Sequence, residues 1–305
     1  MALNDLIQEY QSTKGKPYKR VVKPFKIVSK TPKPKSQNLR KPSKAQIEGR
    51  FTGASGLKLL SYGGTNTKTA KNAIESYIMY LSPYKDNSKN ISVCPKATKG
   101  CVASCLYTAG RGKFSSVIMG RQRRTELYVN NKPLFLDILM DDLLKIKAKR
   151  ERASNIEDKR PDIAIRFNGT SDLDFIGMLN TKFNTNILNW KGFKFYDYTK
   201  IIGKIDKYRN TPYVQTFSMA EGNTDDVYQA IKWGVNVAAV FRSELPPSID
   251  IYSNKENKFM KVKVVDGDKT DIEMLKFKGV ILGLKAKGKA KKDTTGFVID
   301  YKKPV

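Results

Sequence analysis

Histidine is absent from all 305 residues. That one absence removes every mechanism built on imidazole: Ser-His-Asp hydrolysis, Cys-His proteolysis, H-E-x-x-H metalloproteases, zinc fingers with histidine ligands and the His-x-Glu zinc deaminases. Any general acid or base must therefore be Asp, Glu, Lys, Tyr or Cys. Cysteine is scarce as well. The three present, Cys94, Cys101 and Cys105, fall within twelve residues and are odd in number, which excludes a distributed disulfide framework and points to a reducing compartment. No apolar run approaches the roughly 18 to 20 residues of a membrane span, and Met1 to Tyr10 lacks the basic start and apolar stretch of a signal peptide. The expectation is a soluble intracellular protein with no membrane partner. Acidic residues are few: 29 against 57 Lys and Arg, a net charge of +28, for which a polyanion is the expected partner.

The charge is not confined to one end. Residues 1–50 carry 13 basic and 3 acidic residues, and residues 51–305 carry 44 and 26, so the body alone has a net charge of +18. Within the first fifty, Lys and Arg alternate with Pro17, Pro24, Pro32, Pro34 and Pro42, a composition too polar to offset its ordering entropy. This segment reads as a flexible basic arm, either a solvated tail or a phosphate-binding one. Residues 51–305 read as a single domain: the chain is 40% hydrophobic and 10% aromatic, enough for a full core.

From Leu57 onward short apolar runs alternate with helical stretches. Strands are predicted at Leu57 to Tyr62, Ile163 to Asn168, Phe193 to Tyr196, Tyr213 to Ser218, Val235 to Phe241, Val262 to Val265, Gly279 to Leu284 and Phe297 to Asp300. Helices are predicted at Asn66 to Leu81, Val117 to Asn130, Pro133 to Arg150, Phe175 to Leu188 and Thr224 to Trp233, the last capped by Asn223 or Thr224 and stopped by Gly234. That rhythm predicts an α/β fold with a parallel sheet, a complete or partial TIM-like (β/α) barrel, with an open doubly wound sheet as the rival. No phosphate-binding glycine motif is present.

Two features carry chemistry. Residues 93–113 hold a C-x6-C-x3-C pattern in a loop bearing glycine and proline, flanked by Lys96, Lys99, Arg111 and Lys113. Three thiols on one loop fit zinc or an iron-sulfur cluster, and they equally fit redox thiols or small buried side chains. The second feature is the row of polar residues at the strand ends, where parallel sheets place their sites. Asn168, Gly169, Ser171 and Asp172 follow one strand, Asp197 the next, then Ser218 with Glu221, Arg242 and Lys285. Asp172 and Asp197 are candidates to divide nucleophilic and acid/base roles, with helix or turn capping as the alternative. The remaining residues of the row are candidate substrate contacts. Lys113, Arg121, Arg123, Arg124, Lys287 and Lys289 are candidate nucleic-acid contacts.

The stretches C-P-K-A-T-K-G-C-V-A-S-C-L-Y-T-A-G-R-G-K, G-R-Q-R-R-T-E-L-Y, R-F-N-G-T-S-D-L, Y-D-Y-T-K, T-F-S-M-A-E-G-N and N-V-A-A-V-F-R resemble the bacteriophage gene product 88 family. The likeness spans roughly residues 90 to 300. More distantly, the cysteine loop followed by Asn168-Gly169-Thr170 looks similar to the radical S-adenosylmethionine barrels, although the cysteine spacing differs from C-x3-C-x2-C. The aspartate pair beside a cysteine-rich centre looks similar to tRNA- and DNA-guanine transglycosylases, whose zinc-ligand histidine is missing here. These resemblances imply a phage enzyme of the host cytoplasm that exchanges a base in DNA, in preference to RNA, with Asp172 attacking the anomeric carbon and Asp197 moving protons. A cluster-based radical enzyme and a non-enzymatic nucleic-acid-binding protein are the alternatives.

Overall fold

The apolar runs become the strands of one sheet in the computed structural model, which describes residues 57–63, 74–105, 107, 110–269 and 276–301. The expected basic arm over residues 1–50 lies outside the described residues. The ten strands are β1 (Leu60–Tyr62), β2 (Glu75–Met79), β3 (Ile163–Arg166), β4 (Phe193–Thr199), β5 (Val214–Ser218), β6 (Val237–Phe241), β7 (Ser248–Ser253), β8 (Lys258–Asp266), β9 (Ile281–Lys285) and β10 (Val298–Ile299). They follow the order β1-β2-β3-β4-β5-β6-β9-β8-β7, with β10 also on β6. From β2 to β8 every neighbour along this path is parallel, and β1 and β7 are antiparallel edge strands. Among the described strands no pairing joins β1 to β7, so the fold is mixed α/β with an open hydrogen-bond path. β9 runs along one edge of β6. The other edge is shared, with β5 along its first residues and β10 opposite Val240 and Phe241.

The helices are α1 (Lys99–Ala103), α2 (Ser115–Asn130), α3 (Lys132–Ala153), α4 (Phe175–Phe183), α5 (Ile202–Tyr208) and α6 (Thr224–Lys232). Because strand side chains alternate, Ile163, Ile165, Phe167, Phe193 and Phe195 share one face, where they pack with Phe135 and Leu139 of α3 and Phe175 and Leu179 of α4. Rings at 5.8 Å (Phe135 to Phe175), 6.1 Å (Phe167 to Phe175) and 5.8 Å (Phe167 to Phe195) run through this core. Each such burial is worth about 1.5–3 kcal/mol. A second core joins Phe217, Val237, Ala239, Phe241 and Ile281 to Ile205 of α5 and to Val227 and Ala230 of α6. On the opposite face Ile78, Ala164, Tyr196, Ala238 and Leu282 are also buried. Burial on both faces is why these strands read as continuous apolar runs rather than alternating ones.

Three expectations are corrected. Of the predicted helix Asn66 to Leu81, residues 66–73 lie outside the described residues and Glu75–Met79 is a strand, paired to β1 and β3, with Ser76 and Ile78 buried together on one face. Sheet pairing overrides local helical periodicity there. The helix predicted through Leu188 ends at Phe183, because Asn184 adopts a left-handed conformation, φ 46°. Asn223 does stand at the start of α6, but its side chain turns back to accept from Ala220 N (2.9 Å) and donate to Ser218 O (3.0 Å) rather than capping the helix. No helix among the described residues is long and apolar enough to cross a membrane.

Candidate functional site

The parallel strands bring their C-terminal ends to one rim, and the cysteine loop is fastened across it. Asp172 N, after β3, donates to Val93 O at 2.8 Å. Glu221, after β5, accepts from Gly100 N through Oε1 at 2.6 Å. Ser104 Oγ lies 3.5 Å from Asp293 Oδ1 in the segment leading to β10. Thr98 starts α1 by accepting from Cys101 N at 3.2 Å. Gly100 has to be glycine at this crossing: a Cβ would sit 2.0 Å from Thr295 Oγ1 and 2.6 Å from Phe297 Cβ.

Cys94, Cys101 and Cys105 are all free and partly buried. Cys94 accepts from Tyr84 N at 3.4 Å, and its thiol points at Thr170 O, 3.6 Å away. Burial, then the neighbouring thiols and Asp172, push its pKa up to about 12, so it is a neutral thiol. Burial also raises Cys105, against the opposing pull of Lys200 and Arg121. These two cations frame the loop. Arg121, only 8% exposed, lies over the Tyr80 ring at 5.2 Å and donates to Tyr107 O, while its Nε is buried without a partner. Lys200 Nζ lies 5.7 Å from the centroid of Phe297. As they stand, no three His, Cys, Asp or Glu side chains among the described residues form a set that could hold one metal ion.

The loop after β3 is organised by Asn168, which is 2% exposed. Its Oδ1 accepts from Ser171 Oγ and Leu173 N, both at 2.9 Å, and its Nδ2 donates to Leu173 O and Asp197 Oδ2, both at 3.0 Å. Asp197, 1% exposed, further accepts from Asn168 N and Tyr213 Oη, each at 2.8 Å. Burial raises its pKa despite Lys204 and Arg166 nearby. Asp172 accepts from Thr199 Oγ1 (2.8 Å), Lys200 N (2.8 Å) and Lys204 Nζ (2.9 Å). The two candidate carboxylates therefore lie in one buried network that binds β3, β4 and α5 together. Asp174 caps α4 through Gly177 N at 3.0 Å. Gly169 admits the loop because a Cβ there would meet the Tyr80 ring at 2.5 Å.

The other candidates are spread along the rim. Arg242 pairs with Asp300 and donates to Lys291 O and Asp293 O, both at 2.6 Å, which fastens the lysine-rich segment before β10. Lys285, Lys287 and Lys289 are exposed, Lys287 being paired to Asp268 at 2.7 Å. Lys113 is exposed, Arg123 is partly buried, and Arg124 turns to Lys58 O at 3.1 Å. Ser218 meets the Asn223 amide through its carbonyl.

The family model for gene product 88 matches residues 57–301. The chain belongs to the gene product 88 family. No curated protein and no solved structure matches it, so the likenesses to transglycosylases and radical enzymes gain no support. In this family member, the residues that sequence reasoning passed over are Lys204 and Tyr213, which complete the network, Tyr80, which lies against Arg121 and Gly169, and Asp293, which meets Ser104. Lys204 lies on α5, for which no helix was predicted, and Tyr213 resembled a core ring because only the fold sets its hydroxyl against Asp197.

Proposed function

We propose that this gene product 88 family member is a phage protein of the host cytoplasm that binds DNA and modifies a base at the C-terminal rim of its sheet, with the cysteine loop as reaction centre. The observation that carries the reading is the fastening of that loop across the ends of β3 and β5, beside Lys200 after β4, where open parallel sheets hold their ligands. A net charge of +28 supports a polyanionic substrate. On this reading the parallel strands form an incomplete barrel, Lys200 and Arg121 stabilise negative charge beside the thiols, and Asp172 and Asp197 hold the surrounding loops in place. Base exchange by Asp172 requires its carboxylate to leave Thr199, Lys200 and Lys204 first.

The test is nucleoside mass spectrometry of DNA and RNA from cells expressing the protein or its Cys101→Ser variant. A new nucleoside with the wild type and none with the variant is the expected result. Binding without any new nucleoside overturns the enzyme in favour of a non-enzymatic binding protein. That second reading draws on the full engagement of Asp172 and Asp197, which leaves no uncommitted carboxylate pair in the network.

A further inference from the structure

The β7–β8 hairpin carries a surface that neither the core nor the rim uses. Ile251, Val262 and Val264 point into the second core. The alternate residues must face away from it. In register across the hairpin these are Tyr252 opposite Phe259, Asp250 opposite Lys261 and Ser248 opposite Lys263. Phe259 is 72% exposed, and its ring lies 4.7 Å from that of Tyr252. Lys261 and Lys263 follow it along the strand, both exposed, and Lys255 and Lys258 flank the turn. Among the described residues, Asp250 on the same face and Glu256, which is held by Lys232 at 2.6 Å, stand against these. β7 is the edge of the sheet.

We infer that this face is a docking surface for single-stranded nucleic acid, in which unpaired bases stack on Phe259 and Tyr252 while Lys261 and Lys263 follow the phosphates. An aromatic pair beside exposed lysines gives the two contacts that such a strand needs: a π-face for a base and charge for the backbone. A duplex hides its base faces and has no use for the rings. The surface also has a direction. β8 is parallel to β9, so Lys261 and Lys263 lead from Phe259 over about 13 Å, at roughly 3.3 Å per residue, toward the end where Lys285, Lys287 and Lys289 lie. A strand anchored at Phe259 is thereby guided to the rim.

The inference rests on the proposed nucleic-acid reading, and the experiment separates the two. Fluorescence anisotropy measures binding of the full chain to labelled oligothymidylate and to a labelled duplex. The Tyr252→Ala/Phe259→Ala variant should bind the single strand about 5- to 150-fold more weakly, the range for losing one stacked base, and Phe259→Trp should restore binding. Phe259 is exposed and Tyr252 is half-buried with its hydroxyl on Asn257 Oδ1 at 2.6 Å, so a wild-type circular dichroism spectrum is the control for folding, and duplex binding should shift little. If the wild type binds no nucleic acid, the functional reading fails and takes this inference with it. If the wild type binds and the double variant is unaffected, or loses single strand and duplex equally, this inference alone is overturned. Loss of a dimer in gel filtration with DNA binding unchanged would assign the rings to self-contact and overturn it as well.

Discussion

Lys204 Nζ lies 2.9 Å from Asp172 Oδ1, with the two side chains only 7% and 11% exposed. Charges this enclosed depend on each other, because removing one leaves the other desolvated and unpaired, at about 3–5 kcal/mol. Lys204→Met should therefore lower the urea-unfolding free energy by about that amount. The double variant Lys204→Met/Asp172→Asn should recover part of it, since it removes the carboxylate that the single variant leaves unpaired. A single variant as stable as the wild type would mean that Asp172 is solvated and free to act.

Gly169→Ala tests the crossing beneath the loop after β3. The added Cβ would meet Tyr80 Cδ1 at 2.5 Å and Met79 O at 2.7 Å, and a backbone carbonyl cannot swing aside as a side-chain tip can. Overpacking of this kind costs about 1–3 kcal/mol. Calorimetry should show a fall in melting temperature, together with increased labelling of Cys94, whose thiol lies under the same loop.

The sequence marked the ends of β3, β5, β6 and β9 well, because strands buried on both faces are apolar runs and the polar residues that follow them stand out, whereas β4 runs on to Thr199, past the expected end at Tyr196, and takes Asp197 into the strand. It failed where partners are distant. β2 looked helical until pairing with β1 and β3 fixed it, and α5 is too short, at seven residues, to show a period. The carboxylates of Asp172 and Asp197 were visible as candidates, but their engagement by Lys204 and Tyr213 depends on contacts 32 and 16 residues away. Phe259 lay outside the expected strand Val262 to Val265, and the sequence of β8 does not show that one of its faces is bare.

The thiols should separate by pH. Only the thiolate reacts with iodoacetamide, and Cys94 has its pKa pushed up to about 12 by burial. Its alkylation, followed by peptide mass spectrometry, should remain low through neutral pH and rise only in strong alkali. Rapid labelling of Cys94 near pH 8 in the folded protein would contradict its placement beside Tyr84 and Thr170.

Asp174 supplies the acid side of the stability profile. Burial raises its pKa, but the Lys207 ammonium, the Gly177 N–H and the Tyr208 hydroxyl outweigh this and hold it below the ordinary aspartate value. A carboxylate with a depressed folded pKa stabilises at pH above its unfolded value of 3.8, and that stabilisation is lost as pH falls through the folded value. Asp174→Asn should accordingly flatten the acid limb of a melting-temperature profile below about pH 4. An unchanged acid limb would show that other carboxylates set it.

Glu221 ties the cysteine loop to the sheet through one short contact, Gly100 N to Oε1 at 2.6 Å, while its Oε2 is buried with no hydrogen-bond partner. The tether joins residues 121 positions apart in sequence, so it constrains the loop far more than it supports either core. Cutting it with Glu221→Ala should let α1 open locally without lowering the global unfolding free energy by more than about 1–2 kcal/mol. Hydrogen exchange at residues 99–104 should then speed up while the amides of β3 to β6 stay protected, and Cys101 and Cys105 should become more accessible to alkylation. Glu221→Gln retains an acceptor for Gly100 N and gives the orphaned position a donor, so it should preserve slow exchange in α1. If Glu221→Ala leaves that exchange unchanged, the loop is held by Asp293 and Phe297 instead, and the carboxylate is available to a ligand at the rim.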